Sequence, residues 1–488
     1  MQQAGLILAN RAYLDHESPR WADSPSSAGN GGLLAAVRPV IAPWDGRTGT
    51  TWIGAGLGRF DREWTDDRGF ELIETPRGPL RHRRLYFGSS TWHGHYAEVS
   101  NSFLWPLFHL VRHDLPARTG YYPVPSTPGG PDWRSFVAVN TAFAEAAAEE
   151  REAPWCWIHD YQLSLVPDLL RERGFAGRIG FFLHIPFPDI ETARPYLEPG
   201  GWAAFRKVVE GMLGADLIGF QTAADVDRFH RAALEMCGAA PLDGAVLHHG
   251  RRVRTAAFPV GIDIEDVLDV ARKAPVSPRV TAARAAGLPL VVGLERGDFT
   301  KGIPERLAAL TRAFRRGARF AYLGIAAPTR EGVRAYDAWE AAVDLALTQA
   351  RAAAASAGGT FSHVRANVGW EDVVALQRDA DVVFTSSLSD GQNLVPLQAA
   401  IAQSLRPPES RAVILTGRDA GVASTFSRFG FDGLVAIDPL DEPAMAEAFC
   451  EALAGLPGRV SDRFIQDIRR RDAHAWATGF LAALEGPC

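Results

Sequence analysis

"LPLVVGLERGDFTKGIPERLAALTRAFRRG", residues 288–317, decides the fold. Its first nine residues form a largely apolar run, which predicts a strand buried on both faces. Two glycines bracket a short turn, and from Ile303 the apolar side chains recur at helical spacing. A buried strand running straight into an amphipathic helix is half of a βαβ unit, and such units build parallel sheets covered by helices.

The same alternation extends outward in both directions. "AGLILAN" (4–10), "PWCWIHD" (154–160), "RIGFFLHIP" (178–186) and "ADLIGFQT" (215–222) read as strands, and "LVPDLLRERG" as a helix between two of them. Downstream, "RFAYLGIAAP" (319–328) and "RAVILTG" (411–417) are strands, residues 334–357 an Ala-rich helix, and "AWATGFLAALEG" a terminal amphipathic helix. Pro-Val-Gly-Ile in "TAAFPVGIDIEDV" (255–267) punctuates the chain, after which the pattern restarts. We therefore expect an α/β protein of two doubly wound, Rossmann-like domains facing a central cleft. The expected boundaries are residues 1–258 and 259–472, with the helix at about 473–488 packing back on the first domain. Ligands in such folds sit at the carboxyl ends of the strands.

A chain of 488 residues exceeds one ordinary core, in keeping with two domains. With 47% hydrophobic and 22% charged residues it has a globular composition, and a net charge of -6 gives no reason to expect nucleic acid or an anionic membrane as partner. Cys156, Cys237, Cys450 and Cys488 lie far apart without a CxxC pair. That spacing argues against structural zinc and disulfides and for a reducing, cytoplasmic setting. "MQQAGLILANRAY" lacks the basic lead of a signal peptide, and no stretch approaches the roughly 20 apolar residues of a membrane span.

Within the opening stretch, Arg296 ends the strand and Lys301 stands in the turn before the helix. Two cations beside a helix start suit a diphosphate, because free amides and the helix dipole add to their charge. "SDGQNLVPLQ" (389–398) repeats the device after the strand in "ADVVFTSS", with the amides of Gln392, Asn393 and Leu394 expected to open a helix. Asp390 in this stretch reads, taken alone, as a helix cap. "SAGNGGLL" (27–34) is a third Gly-rich loop but lacks the dinucleotide-binding spacing. Asp160 and His184 follow apolar strands, yet no Ser or Cys elbow accompanies them and no metal-binding motif is present.

These stretches together carry a resemblance. "WIHDYQL", "RIGFFLHIPFP", "ADLIGFQT", "FPVGID", "ERGDFTKGIPERL", "APTREGVRAY" and "SDGQNLV" occur in the order found in the trehalose-6-phosphate synthase family of retaining glycosyltransferases. The resemblance runs nearly end to end and implies the GT-B architecture. It implies transfer of a sugar from a nucleotide donor such as UDP-glucose or GDP-glucose to a phosphorylated sugar, with no metal or other cofactor. Arg296 and Lys301 would hold the donor diphosphate, and His184 and Asp390 would contact the transferred sugar with Asp160 beside them. Gly32, Gln392, Asn393, Leu394, Val395 and Gln398 would complete the donor site. Arg11, Tyr96 and Arg330 would line the acceptor's sugar-phosphate pocket, and Trp105 would stack on its sugar. In this family the departing phosphate is thought to accept the acceptor's proton, so no carboxylate pair is required. A homo-oligomer is compatible with the resemblance.

Three positions depart from the family pattern. Gln398 stands where a Glu usually receives both ribose hydroxyls, which weakens that grip by about tenfold. Gln392 replaces a usual Met, and Ala55 stands where a second Trp is expected at the acceptor sugar. "DGQNL" and the missing Trp resemble the validoxylamine 7′-phosphate synthases, pseudo-glycosyltransferases that join a nucleotide-activated cyclitol to an aminocyclitol phosphate. Two alternatives therefore stand beside sugar transfer: such a coupling in secondary metabolism, and a catalytically silent sugar-phosphate-binding regulator.

Overall fold

The central strands of the N-terminal sheet, Leu6–Arg11, Trp155–His159, Arg178–Phe182 and Leu217–Phe220, are mostly apolar and buried, the pattern of parallel strands covered on both faces. In the computed structural model, residues 5–19, 27–28, 32–46, 48–75, 77–120, 122–197, 199–330, 333, 336–426 and 433–486 are described. The chain divides into two compact units. One comprises Met1–His113, Tyr122–Phe258 and Trp476–Cys488, and the other Asp114–Tyr121 and Pro259–Ala475.

The first unit is built on a ten-stranded sheet. Seven neighbouring strands are parallel, in the order Arg251–Ala257, Leu217–Phe220, Arg178–Phe182, Trp155–His159, Leu6–Arg11, Thr51–Ala55 and Gly78–Leu85. Antiparallel strands close the two edges, Phe70–Thr75 at one and Ala240–Leu242 with Ala245–His248 at the other. The terminal helix Ala473–Glu485 contributes Phe480, which stacks on Trp157 at 4.6 Å and lies over Gly180 and Gly219. A Cβ at either glycine would stand 2.9 or 2.7 Å from that ring, so both positions are small to let the helix seat.

The second unit holds a six-stranded, wholly parallel sheet in the order Thr360–Val364, Ala321–Ala327, Leu290–Arg296, Val382–Phe384, Val413–Gly417, Leu434–Ile437. The stretch 288–317 forms the predicted strand Leu290–Arg296 and helix Ile303–Arg315 at the middle of this sheet. Its core is aliphatic: Val292 and Leu294 from this strand, Leu323 and Ile325 from the next, and Leu397 and Ile401 from a covering helix, all buried. Both units are Rossmann-like and doubly wound, the fold class the sequence implies.

The edge hairpin Phe70–Thr75/Gly78–Leu85 was not foreseen, because "FELIET" and "GPLRHRRL" read as polar. Their charges are satisfied internally instead. Glu71 is bonded by His16 (2.8 Å), His82 (3.0 Å) and Arg84, and Arg84 also pairs with Asp61 at 3.0 Å. Burial alone would raise the Glu71 pKa, but these donors outweigh it and hold the carboxyl down at about 2.

Candidate functional site

At the carboxyl edge of the second sheet, three neighbouring strands release loops that bond to one another. The strand Leu290–Arg296 leaves Arg296 exposed at its end, then turns through Phe299–Lys301. Gly302 begins the helix with φ 59°, and a Cβ there would lie 2.2 Å from the Ser386 carbonyl. Only glycine tolerates both that backbone and that approach. The loop after Val382–Phe384 is tied to this turn by Leu388 N–H donating to the Thr300 carbonyl (2.7 Å) and Ser386 Oγ donating to those of Lys301 and Gly302 (3.0 and 2.8 Å). The loop after Val413–Gly417 joins the other side, with Gly421 N–H on the Asp390 carbonyl (3.1 Å) and Val422 N–H on that of Gln392 (2.8 Å). The same contact pairs Asp390 with Ala420 as an isolated parallel bridge.

Within this frame Lys301 and Asp390, far apart in sequence, form an ion pair with both side chains largely buried. Ser387 Oγ donates to Asp390 at 3.2 Å, and Asn393 Nδ2 donates to Ser387 Oγ at 3.2 Å. Asp390 thus does not cap a helix, as its local sequence suggested. The helix runs Val395–Gln403 with Leu394 as its N-cap residue, and no side chain bonds its first turn. The amides of Gln392, Asn393 and Leu394 precede the helix rather than opening it, and Asn393 takes the left-handed backbone (φ 60°) that lets the chain enter. Gln392 is buried with its Oε1 unbonded. Gln398, one turn into the helix, accepts from the buried Gln377 Nε2 at 3.5 Å.

Arg330 lies in the same unit, but it is buried and paired with the fully buried Asp298. Burial alone would raise the Asp298 pKa; Arg330, Arg296, the Thr300 amide and Lys301 hold it well below the ordinary carboxylate range.

In the first unit, Asp160 and His184 follow adjacent parallel strands, and the Asp160 carboxylate accepts from the His184 amide at 3.3 Å. Asp160 holds φ 73°, an uncommon conformation for a side-chain-bearing residue. The His184 ring meets His159 at 3.0 Å (Nε2 to Nδ1), and burial pushes the His184 pKa down to about 3, so it is neutral at pH 7.

Arg11 ends the first strand with its guanidinium 5.8 Å from the centre of the Tyr96 ring. Tyr96 belongs to a π-helix, Gly94–Leu104, a rare element. Ser100, Asn101 and Ser102 each donate a side-chain hydrogen bond to the carbonyl five residues earlier, filling its wide turns. Trp105 is only 4% exposed and packs on His109 and Tyr161, which leaves little of its face for a sugar. Ala55 is fully buried at the end of its strand. The helix Gly32–Val37 begins at Gly32, while most of the preceding Gly-rich loop lies outside the described residues.

The structure thus brings together Arg296, Lys301, Asp390, Asn393 and Arg330 in one unit, and Asp160 with His184, and Arg11 with Tyr96, in the other. Sequence reasoning passed over Asp298, Ser387, His159 and the Gly417–Gly421 turn. An Asp at the start of a turn was the available signal for the first. Among the described residues, no group of three or more His, Cys, Asp or Glu side chains is arranged to hold a metal, and no helix is long and apolar enough to cross a membrane.

Residues 16–486 match the model of glycosyltransferase family 20. The chain is 26% identical to an α,α-trehalose-phosphate synthase [UDP-forming] of Dictyostelium discoideum, over 98% of this chain and 62% of that protein. It is 30% identical to a bifunctional trehalose-6-phosphate synthase/phosphatase of Thermoproteus tenax, over 93% of this chain and 60% of the other. It thus spans about three fifths of the length of these two relatives. A crystal structure of the UDP-forming α,α-trehalose-phosphate synthase of Burkholderia xenovorans, in complex with glucose-6-phosphate, superposes with a TM-score of 0.79. That match covers 99% of this chain and all of the other at 25% identity.

Proposed function

This chain belongs to glycosyltransferase family 20, and on that premise we propose that it is a retaining glycosyltransferase that moves a hexosyl group from a UDP-sugar to a sugar phosphate. The observation that carries the reading is the convergence of the three loops on Lys301, Asp390 and Asn393 beside Arg296. We assign the donor diphosphate to Arg296, Lys301 and the amides of 392–394, and the donor's remaining contacts to Gly32, Val395 and Gln398. For the transferred sugar we assign His184 and Asp160 in the first unit and Asp390 in the second, and for the acceptor Arg11 and Tyr96 in the first and Arg330 in the second. Trp105, buried against His109 and Tyr161, supports the acceptor side from behind rather than stacking on its sugar.

As the C1–oxygen bond to the diphosphate breaks, its electron pair passes to the phosphate oxygen. Arg296 and Lys301 stabilise that charge most where it is largest, in the transition state. The acceptor hydroxyl forms the new C1–oxygen bond on the face the diphosphate leaves, and its proton passes to the departing phosphate oxygen. Neutral His184 carries no charge into this step and serves as a hydrogen-bonding group. Cys156, Cys237 and Cys450 are free thiols, which supports a cytoplasmic setting.

Incubation with UDP-glucose or GDP-glucose and a panel of phosphorylated sugars and aminocyclitols, read by mass spectrometry, tests the reading. With UDP-glucose and a sugar phosphate the expected products are UDP and a disaccharide phosphate, and GDP-glucose is expected to be the poorer donor. A nitrogen-linked product instead, or no product with any pair, refutes it.

A further inference from the structure

Asp298 lies between the turn that carries Lys301 and the segment that carries Arg330, and its carboxylate is shared by both. Its Oδ1 accepts from the Thr300 amide (3.0 Å) and hydroxyl (2.9 Å). Its Oδ2 accepts from Arg330 Nη1 and from the Tyr336 hydroxyl, the latter at 2.9 Å. The side chain is fully buried, and Arg330 is nearly so. Arg330 also holds φ 51°, a backbone conformation that surrounding contacts must enforce for a residue with a side chain. The Phe299 and Tyr336 rings pack 5.7 Å apart, and Gly297 N–H donates to the Ala327 carbonyl at 2.7 Å, so the two strand-end loops are tied at three levels.

We propose that Asp298 is a positioning residue that fixes the Arg330 guanidinium for the acceptor's phosphate while restraining the positive field of the diphosphate turn. The inference rests on the assignment of Arg330 to the acceptor given above. A carboxylate that also accepts from Thr300 and Tyr336 holds the Arg330 guanidinium in a set position. The same negative charge opposes the field that Arg296 and Lys301 offer a diphosphate. Removing it therefore weakens the acceptor's site without weakening the diphosphate's.

Asp298→Asn keeps the shape and one acceptor oxygen but turns an amide N–H₂ group towards donors. Arg330 loses both its counter-charge and its anchor. The expected result is a KM for the sugar phosphate raised about tenfold, as for loss of a charged hydrogen bond, with UDP binding by calorimetry unchanged or tighter. A merely structural defect would weaken both ligands together. Tyr336→Phe removes one donor without altering charge, and should raise the acceptor KM by about threefold with UDP binding intact; it serves should the Asn variant not fold. An unchanged acceptor KM in a folded variant, or parallel weakening of UDP, overturns the inference while leaving the transferase reading in place. A wild-type protein that transfers no sugar overturns both.

Discussion

Arg296→Ala is expected to lower turnover with a UDP-sugar by about 10²–10³-fold, the loss typical when one group aimed at developing charge is removed. The reason is local. Arg296 ends the central strand of the second unit, one turn before Lys301, at the edge where the three loops meet. Its side chain is exposed, so truncation removes no core packing and the melting temperature should hardly move. Because the diphosphate gains charge only as the bond breaks, the larger part of the loss should fall on kcat rather than on the donor's KM. Steady-state kinetics on the purified variant check this, and near-normal kcat removes Arg296 from the leaving-group role.

Arg306→Ala is expected to act on stability instead. This guanidinium is wholly buried beneath the same loops, paired with Glu295. It also donates to the Tyr322 hydroxyl, the Phe384 carbonyl and Ser386 Oγ, each at 3.2 Å. It thereby pins the helix Ile303–Arg315 to three neighbouring strands. Deleting one partner of a buried pair strands the other, at a cost of about 3–5 kcal/mol. For a unit of this size that is a fall in melting temperature of roughly 10 °C. Replacing Glu295 and Arg306 together with Gln and Met should recover part of the loss, since no buried charge is then left alone. A melting temperature for Arg306→Ala within about 1 °C of the parent would show that the network contributes nothing.

How much of this was legible in the sequence follows from the range of the interactions. Parallel strands buried on both faces announce themselves as apolar runs, and "LPLVVGLER", "RIGFFLHIP" and "RAVILTG" each contain an observed strand. The edge hairpin did not, because its charges are neutralised by residues from other segments, such as His16 and Asp61. The π-helix gives no periodic signal, since side chains such as Asn101 complete its turns. In the second unit, single positions such as Arg296 and Lys301 were readable from their place at a strand end. Their couplings were not: Asp298 meets Arg330, and Lys301 meets Asp390, only after the sheet aligns strands remote in sequence. Asp390 shows the difference most plainly. Its local pattern favours a cap, and the fold gives it an ion pair.

The assignment of the diphosphate to Arg296, Lys301 and the 390–394 loop is tested most directly by a crystal structure of the protein soaked with UDP. The expected result is density for both phosphates within about 3 Å of the two cations and of the amides of 392–394. UDP bound elsewhere, or bound with Arg296 and Lys301 turned to bulk solvent, contradicts it.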